Sequence, residues 1–441
     1  MEFSLKPIPR ERALLETFFC TLANFHFDQA RESIEREKEE SKHEPETLYT
    51  NLLSCLIPLP NIEKGYFMML FVERRLLRRE TIKPLYLNLL SDLKKHVCVD
   101  NEDALHGIDA ISFDLSKQLV QFINARICMI DFYESLVRTS WSHTKDRKLI
   151  SIAISEIISK FNKEFHHPML DPLKISFTTE VDVVQCLMRL EIQLAEWDFF
   201  ESFLLLRECH SKINSWFVVS TTSDLREQLF FNKNFFRKKN VELPFLYEWL
   251  NRFYELLISK FAFYFHTTLS SHILQQEKKT LLSRLSVDYV TKLTDFQKKS
   301  GAFCISLVLD ASKKASTYCG HGYHLPSTIR SPPTGMNSYP SVLNIPDVNI
   351  KEHWPNIISM INDNSMTLNV TDKIVHVYDS MLQSSYFLIK VDLLMTLVVT
   401  YNTKKKEKDS YVTSILSEIR SQLDLDKLYL MLKNQQKSFN Q

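Results

Sequence analysis

An all-α helical bundle followed by a smaller α+β domain is the fold the sequence predicts, and three observations predict it. Through residues 1–299 apolar side chains recur at helical spacing, and Gly65 and Gly107 are the only glycines, a scarcity that long helices require. Residues 301–355 then hold four of the six glycines and six of the fifteen prolines. Beyond them come short runs of branched and aromatic residues at strand length. The reading is a helical bundle over residues 1–299 and an α+β domain over residues 300–441, with a long Gly/Pro/His-containing loop at about 311–340.

Taken in order, Pro7 and Pro9 precede a first helix whose Leu14, Leu15, Phe18, Phe19, Leu22 and Phe25 form one stripe. Residues 32–44 are densely charged and read as a solvated face or tail. Residues 41–61, with Pro45, Pro58 and Pro60, read as a loop around a short helix. A helix from about residue 62 gathers Arg74, Arg75, Arg78 and Arg79 on one side, and Pro84 interrupts it before residues 85–97. The clearest helix spans 103–138: Ile108, Leu115, Phe122, Met129 and Leu136 recur every seven residues beside Ile111, Ala125 and Phe132, with Gln118 breaking the companion row. Residues 149–165 repeat the pattern up to His166-His167-Pro168, where proline disfavours helix in the residue before it.

A helix starting near Thr179 presents Val183, Leu187, Leu190, Leu194 and Trp197. Residues 220–241 lose periodicity and read as a surface connection. Pro244 opens a helix with Leu246, Leu250, Phe253, Leu257, Phe261 and Tyr264 on one face, and another covers 277–299. After Gly301, residues 303–309 and 342–345 read as strands, and 371–382 as a helix. Residues 384–391 and 393–401 form a hairpin through Val391-Asp392, while 356–361 fit helix and strand equally. The charged turn 404–408 leads into a helix with Val412, Ile415, Leu416, Ile419 and Leu423, then a second short one over 424–432.

Composition narrows the function classes. A formal net charge of +1 supplies no field that would draw nucleic acid or an acidic membrane. The eight cysteines contain no CxxC pair and mostly sit in apolar stretches, which fits a reducing compartment. The first residues lack a secretory pattern, Glu2 does not suit myristoylation, and no apolar run approaches bilayer length. The expectation is a cytoplasmic protein whose membrane association is indirect, through partners.

Few constellations carry chemistry. Cys319, His321 and His324 are acceptable zinc donors within six residues, with His353 the nearest fourth; the alternative is a glycine-assisted surface loop. The segment lacks a Walker pattern, and HExxH and GxSxG are absent from the chain. His166 and His167 fit a helix end better than an acid/base pair, and Glu180, Asp182 and Glu191 read as solvent-facing. Trp197, Trp216 and Trp249 read as core. The candidate partner-binding residues are Gly320, His321, Gly322, Tyr323, His324, Tyr339, Pro340 and Trp354, with no catalytic, cofactor or metal residue assigned.

Several segments are recognisable together. Leu15-Glu16-Thr17-Phe18-Phe19, Phe165-His166-His167-Pro168-Met169-Leu170-Asp171-Pro172-Leu173 with Glu180-Val181-Asp182-Val183, and Lys260-Phe261-Ala262-Phe263-Tyr264-Phe265-His266 are three of them. Gly320-His321-Gly322-Tyr323-His324 with Tyr339-Pro340, His353-Trp354-Pro355-Asn356 and Gln383-Ser384-Ser385-Tyr386-Phe387-Leu388 follow in the same order. Jointly they resemble the small, two-domain subunit family of the KICSTOR complex, once a family of unknown function. The resemblance implies a non-enzymatic scaffold subunit that works beside a kaptin-like protein, an FG-GAP-repeat protein and a very large seizure-threshold protein. It further implies recruitment of the GATOR GTPase-activating complex to lysosomes and negative regulation of TOR signalling in amino-acid or glucose shortage. A zinc protein or enzyme built on Cys319, His321 and His324, and a direct GTPase-binding module, are the alternatives.

Overall fold

The helices of the N-terminal part arise from the apolar stripes, and their caps come from local chemistry. The computed structural model describes residues 10–43, 47–71, 82–97, 107–138, 144–220, 244–272, 280, 282–283, 285–314, 333–370 and 373–433. In chain order the helices are α1 (Arg10–Ala23), α2 (Phe27–Glu40), α3 (Leu48–Leu56), α4 (Leu59–Phe67), α5 (Ile82–Val97) and α6 (Ile108–Arg138). They continue with α7 (Thr144–Phe161), α8 (Asp171–Ala195), α9 (Phe199–Ser220), α10 (Phe245–Tyr264), α11 (His266–His272) and α12 (Tyr289–Ser300). The charged segment after residue 27 is a packed helix and not a tail, because Phe27, Ala30 and Ile34 bury one face of α2. Pro58 and Pro60 begin α4 where a loop was expected: a first-turn proline gives up an N–H that has no helical acceptor. Pro84 likewise lies in the first turn of α5 and does not interrupt it.

On α6, Leu115, Phe122, Met129 and Leu136 are all buried, so the seven-residue seam is a core seam. Gln118, its polar irregularity, accepts a hydrogen bond from the His166 backbone N–H at 2.9 Å. α7 ends at Phe161, five residues before His166, and Phe165 adopts a left-handed φ of 40° outside it. α8 begins at Asp171 and not near Thr179, with Pro172 in its first turn, and Trp197 at φ 58° separates it from α9. Of the helix expected over 277–299, residues 280 and 282 are helical, 285–288 are not, and 277–279, 281 and 284 lie outside the described residues. Helix α12 opens at Tyr289, where the Asp288 side chain accepts from Thr291 N–H, and Gly301, at φ 70°, closes it.

The C-terminal part is an antiparallel sheet between helices. Strands β1 (Cys304–Leu309), β2 (Ser341–Ile345), β3 (Ile374–Asp379), β4 (Ser384–Lys390) and β5 (Met395–Tyr401) stand in the order β2-β1-β5-β4-β3. The expected hairpin is present, with Ile389 opposite Leu397. Residues 374–379, expected as helix, form β3: Ile374-Val375-His376-Val377-Tyr378 is branched and aromatic, and it pairs along β4 from Ile374↔Ile389 to Asp379↔Ser384. Residues 356–361 resolve as part of helix α13 (Trp354–Asp363), followed by α14 (Ser365–Leu368), α15 (Ser410–Leu423) and α16 (Asp426–Lys433). One sheet face joins Val308, Tyr386, Leu388 and Val398 to Ile357, Ile361 and Leu368 of α13 and α14. The opposite face, through Leu307, Phe387, Leu397 and Val399, belongs to the large apolar core that also contains the helices on either side of residue 300.

Candidate functional site

The predicted partner-binding residues divide between described and undescribed chain. Gly320, His321, Gly322, Tyr323 and His324 lie outside the described residues, as do Cys319, the Arg74–Arg79 cluster and residues 237–239. Among the described residues no group of three His, Cys, Asp or Glu side chains is placed to hold a metal. Tyr339 donates its hydroxyl hydrogen to Asn362 Oδ1 at 2.7 Å, and Pro340 offers its carbonyl to Leu309 N–H at 3.0 Å. Trp354 opens α13 half-buried and packs, with Tyr339, against the smaller apolar cluster. Tyr339 and Trp354 thus both lie on the α13 side of the sheet.

His353, the nearest fourth donor for a metal, is instead a core residue. It is 7% exposed, its Nδ1 lies 2.7 Å from the Tyr386 hydroxyl, and its ring meets Phe303 at a tilt and Tyr386 edge-on. Burial holds its pKa below the ordinary histidine value, which favours the neutral ring. His167 caps a single 3-10 turn, accepting from Met169 N–H at 3.2 Å through Nδ1, and burial lowers its pKa too.

The most concentrated charge chemistry lies where the helical and sheet-bearing parts meet. Arg147, in the first turn of α7, points its guanidinium at Glu191, Asp392 and Asp424, each 3.5 Å away. Lys260 of α10 reaches Asp392 at 2.6 Å and donates to the Leu423 carbonyl at 3.1 Å. Tyr264 donates to Asp392 at 2.9 Å and Tyr429 to Glu191 at 3.2 Å, while Arg420 stands 3.3 Å from Asp424. Three cations therefore face three carboxylates across the junction. Burial opposes the Arg147 charge, but Glu191, Asp392 and Asp424 outweigh it and raise its pKa. Burial also opposes the Asp392 charge, yet Lys260 and Arg147 bring its pKa down to about 2. Asp424 goes the other way: burial, then repulsion from Asp392, push it up to about 6.

A second buried network ties four helices together. Arg126 of α6 donates from Nε and Nη2 to Glu63 of α4 at 3.2 and 3.0 Å, and from Nη1 to Glu180 of α8 at 2.6 Å. Tyr66 and Tyr133 donate to Glu180, and Tyr86 of α5 to Glu63. The Arg126 guanidinium also sits 4.3 Å from the Tyr66 ring centroid. This corrects the solvent-facing reading of Glu180 and Glu191, which are 0% and 1% exposed; Asp182 is half-buried and pairs with Lys212. Sequence reasoning missed Arg126 and Arg147 because each looks like an ordinary charged helix residue. The available signal was position: Arg126 falls beside Ala125 in the apolar seam of α6.

Both networks join elements that are far apart in the sequence. Against known proteins, a family model described as KICSTOR complex C12orf66 like matches residues 4–437. A Danio rerio protein named KICSTOR subunit 2 is 37% identical over 440 residues, covering 97% of each chain. Its Xenopus laevis counterpart of the same name is 33% identical over 437 residues, again covering 97% of each.

Proposed function

The chain belongs to the C12orf66-like family of KICSTOR complex subunits, and from that premise we propose that it is a non-enzymatic scaffold subunit recruiting the GATOR GTPase-activating complex to lysosomes. Its output is negative regulation of TOR signalling in amino-acid or glucose shortage. The observation that carries this reading is similarity over 97% of the chain to two relatives named KICSTOR subunit 2. A scaffold acts by raising effective concentration, and that requires two surfaces held at fixed separation. The buried Arg147 junction supports such rigidity, because it clamps the bundle to the sheet. No helix among the described residues is long and apolar enough to cross a membrane, and the proposed lysosomal address comes from partners.

One contact surface in this reading comprises the 320–340 loop together with Tyr339, Pro340 and Trp354. The test is quantitative affinity purification of the full chain from fed and starved cells. Recovery of kaptin-like, FG-GAP-repeat and seizure-threshold proteins, with GATOR components, is the expected result. Their absence at normal expression and folding would overturn the reading. Trp354→Ala should weaken recovery while leaving the melting profile within a few degrees, since the ring is only half-buried.

A further inference from the structure

The sheet has two edges, and the chain treats them differently. On β2, Thr267 of α11 donates to the Val342 carbonyl at 2.8 Å, and α11 and α12 both pack on the strand. On β3, the side away from β4 pairs with no strand among the described residues. Alternate residues of this six-residue strand direct N–H and C=O groups outward. Usual protections of an edge are missing from β3 itself: residues 374–379 contain no proline, no lysine and no bulge against β4. α14 and α15 both pack against β3.

Positive charge brackets that edge. Lys373 is exposed immediately before β3, and Lys404, Lys406 and Lys408 are exposed in the loop after β5. The loop reaches β3 directly, with Lys404 Nζ 5.0 Å from the Tyr378 ring centroid. Of the nearby acids, Asp379 is occupied by Met381 N–H and the Asn356 side chain, and Asp409 by the first N–H groups of α15. Glu407 stands among Lys404, Lys405, Lys406 and Lys408, so residues 404–408 stay net positive. Exposed Val370 and Met381, 47% and 90% exposed, stand at the two ends of the strand and offer apolar contacts to an added chain.

We propose that the free edge of β3 docks an extended acidic segment of another subunit of the complex, which adds to the sheet as a further strand. Main-chain bonds supply the register, and Lys373 with the 404–408 loop selects the charge. A second copy of this chain is disfavoured, because pairing two such edges would bring two lysine clusters together. The inference rests on the scaffold reading and names one surface through which it operates.

The test uses the full chain, free and in the complex purified with it. Amide hydrogen exchange at residues 374–379 should slow by about tenfold or more in the complex, while β4 and β5 amides stay unchanged. p-Benzoylphenylalanine in place of Tyr378 should cross-link to an acidic, extended stretch of another subunit. A Lys404→Glu/Lys406→Glu/Lys408→Glu variant should lower both signals about tenfold without altering the melting temperature of the free chain. Unchanged exchange at β3 in a complex that retains its subunits would overturn this inference and leave the scaffold reading standing. Cross-links to a second copy of the chain would overturn the assigned occupant. If no other subunit co-purifies, the scaffold reading falls and the inference falls with it.

Discussion

Lys260 Nζ and Asp392 Oδ2 stand 2.6 Å apart with both side chains almost fully buried, joining a helix of the bundle to the turn between β4 and β5. Neither charge has water to fall back on: Lys260 depends on Asp392, and Asp392 on both Lys260 and Arg147. Lys260→Met should therefore cost about 3–5 kcal/mol, because Asp392 keeps its charge without its nearest cation. Urea unfolding of the two proteins measures this directly. A loss under about 1 kcal/mol would mean that Arg147 alone suffices for Asp392.

Asp424 gives the junction a pH dependence of opposite sign to that of Asp392. Its folded pKa of about 6 lies above the ordinary carboxylate value, so its contribution favours the folded state at low pH and is lost as pH rises through about 6. Asp392, held at about 2, contributes stability above pH 4 that is lost only as pH falls toward 2. Asp424→Asn should therefore melt higher than the parent at pH 8, by roughly 1–3 kcal/mol, with the difference shrinking below pH 5. Melting curves across pH 4.5–8 decide it; equal or lower stability of the variant at pH 8 would show that Asp424 gains more from Arg147 and Arg420 than it loses to Asp392.

Within the bundle, Arg126 and Tyr133 should rank far apart. Arg126→Met leaves Glu63 and Glu180 as two buried carboxylates without a cation, a change of about 3–5 kcal/mol. Tyr133→Phe removes one of several donors to Glu180 and should cost only about 1 kcal/mol. Parallel denaturant titrations test the ranking, and similar losses for both would contradict the central role of the guanidinium.

Cys186 and Cys209 face each other across α8 and α9 with their sulfur atoms 2.6 Å apart, both buried. The neighbouring Cys186 sulfur and burial both push the Cys209 pKa up, so thiolate is scarce at pH 8. Cys20 is exposed. Mass-mapped alkylation with iodoacetamide should label Cys20 at least about tenfold faster than either buried thiol, and unfolding in guanidinium should abolish the difference.

Local pattern made the helices and the β4–β5 hairpin readable, since their signals are periodicity, caps and turn residues. It failed at β3, where a half-buried edge strand between polar segments lacks the continuous apolar run of β5. At α2 the charges do form a solvated face, but they masked the narrow stripe of Phe27, Ala30 and Ile34 that packs the helix. The junction was beyond local reading altogether: Arg147, Lys260 and Asp392 are far apart in sequence, and each looks solvated until the fold brings them together. Trp354 stands half-buried against the smaller cluster; its neighbour His353 was not legible as core, because its hydroxyl partner lies on a strand 33 residues away.

The contacts across residue 300 lead to a prediction for the whole chain. Trp249 donates its indole N–H to the Leu428 carbonyl at 3.0 Å, and its ring and Phe253 both pack against Tyr429. Arg147 and Glu191 on one side, and Asp392 and Asp424 on the other, are each left partly unpaired if the parts separate. Opening the junction would thus expose aromatic surface and strand buried charges in the same step, and both penalties oppose independent melting. Scanning calorimetry of the full-length protein should show one cooperative transition, and a fragment ending at residue 299 should melt lower and less cooperatively than the bundle does in the intact chain. Two resolved transitions in the intact protein, with the fragment reproducing one of them, would show that the bundle carries its own stability and that the junction only docks preformed parts.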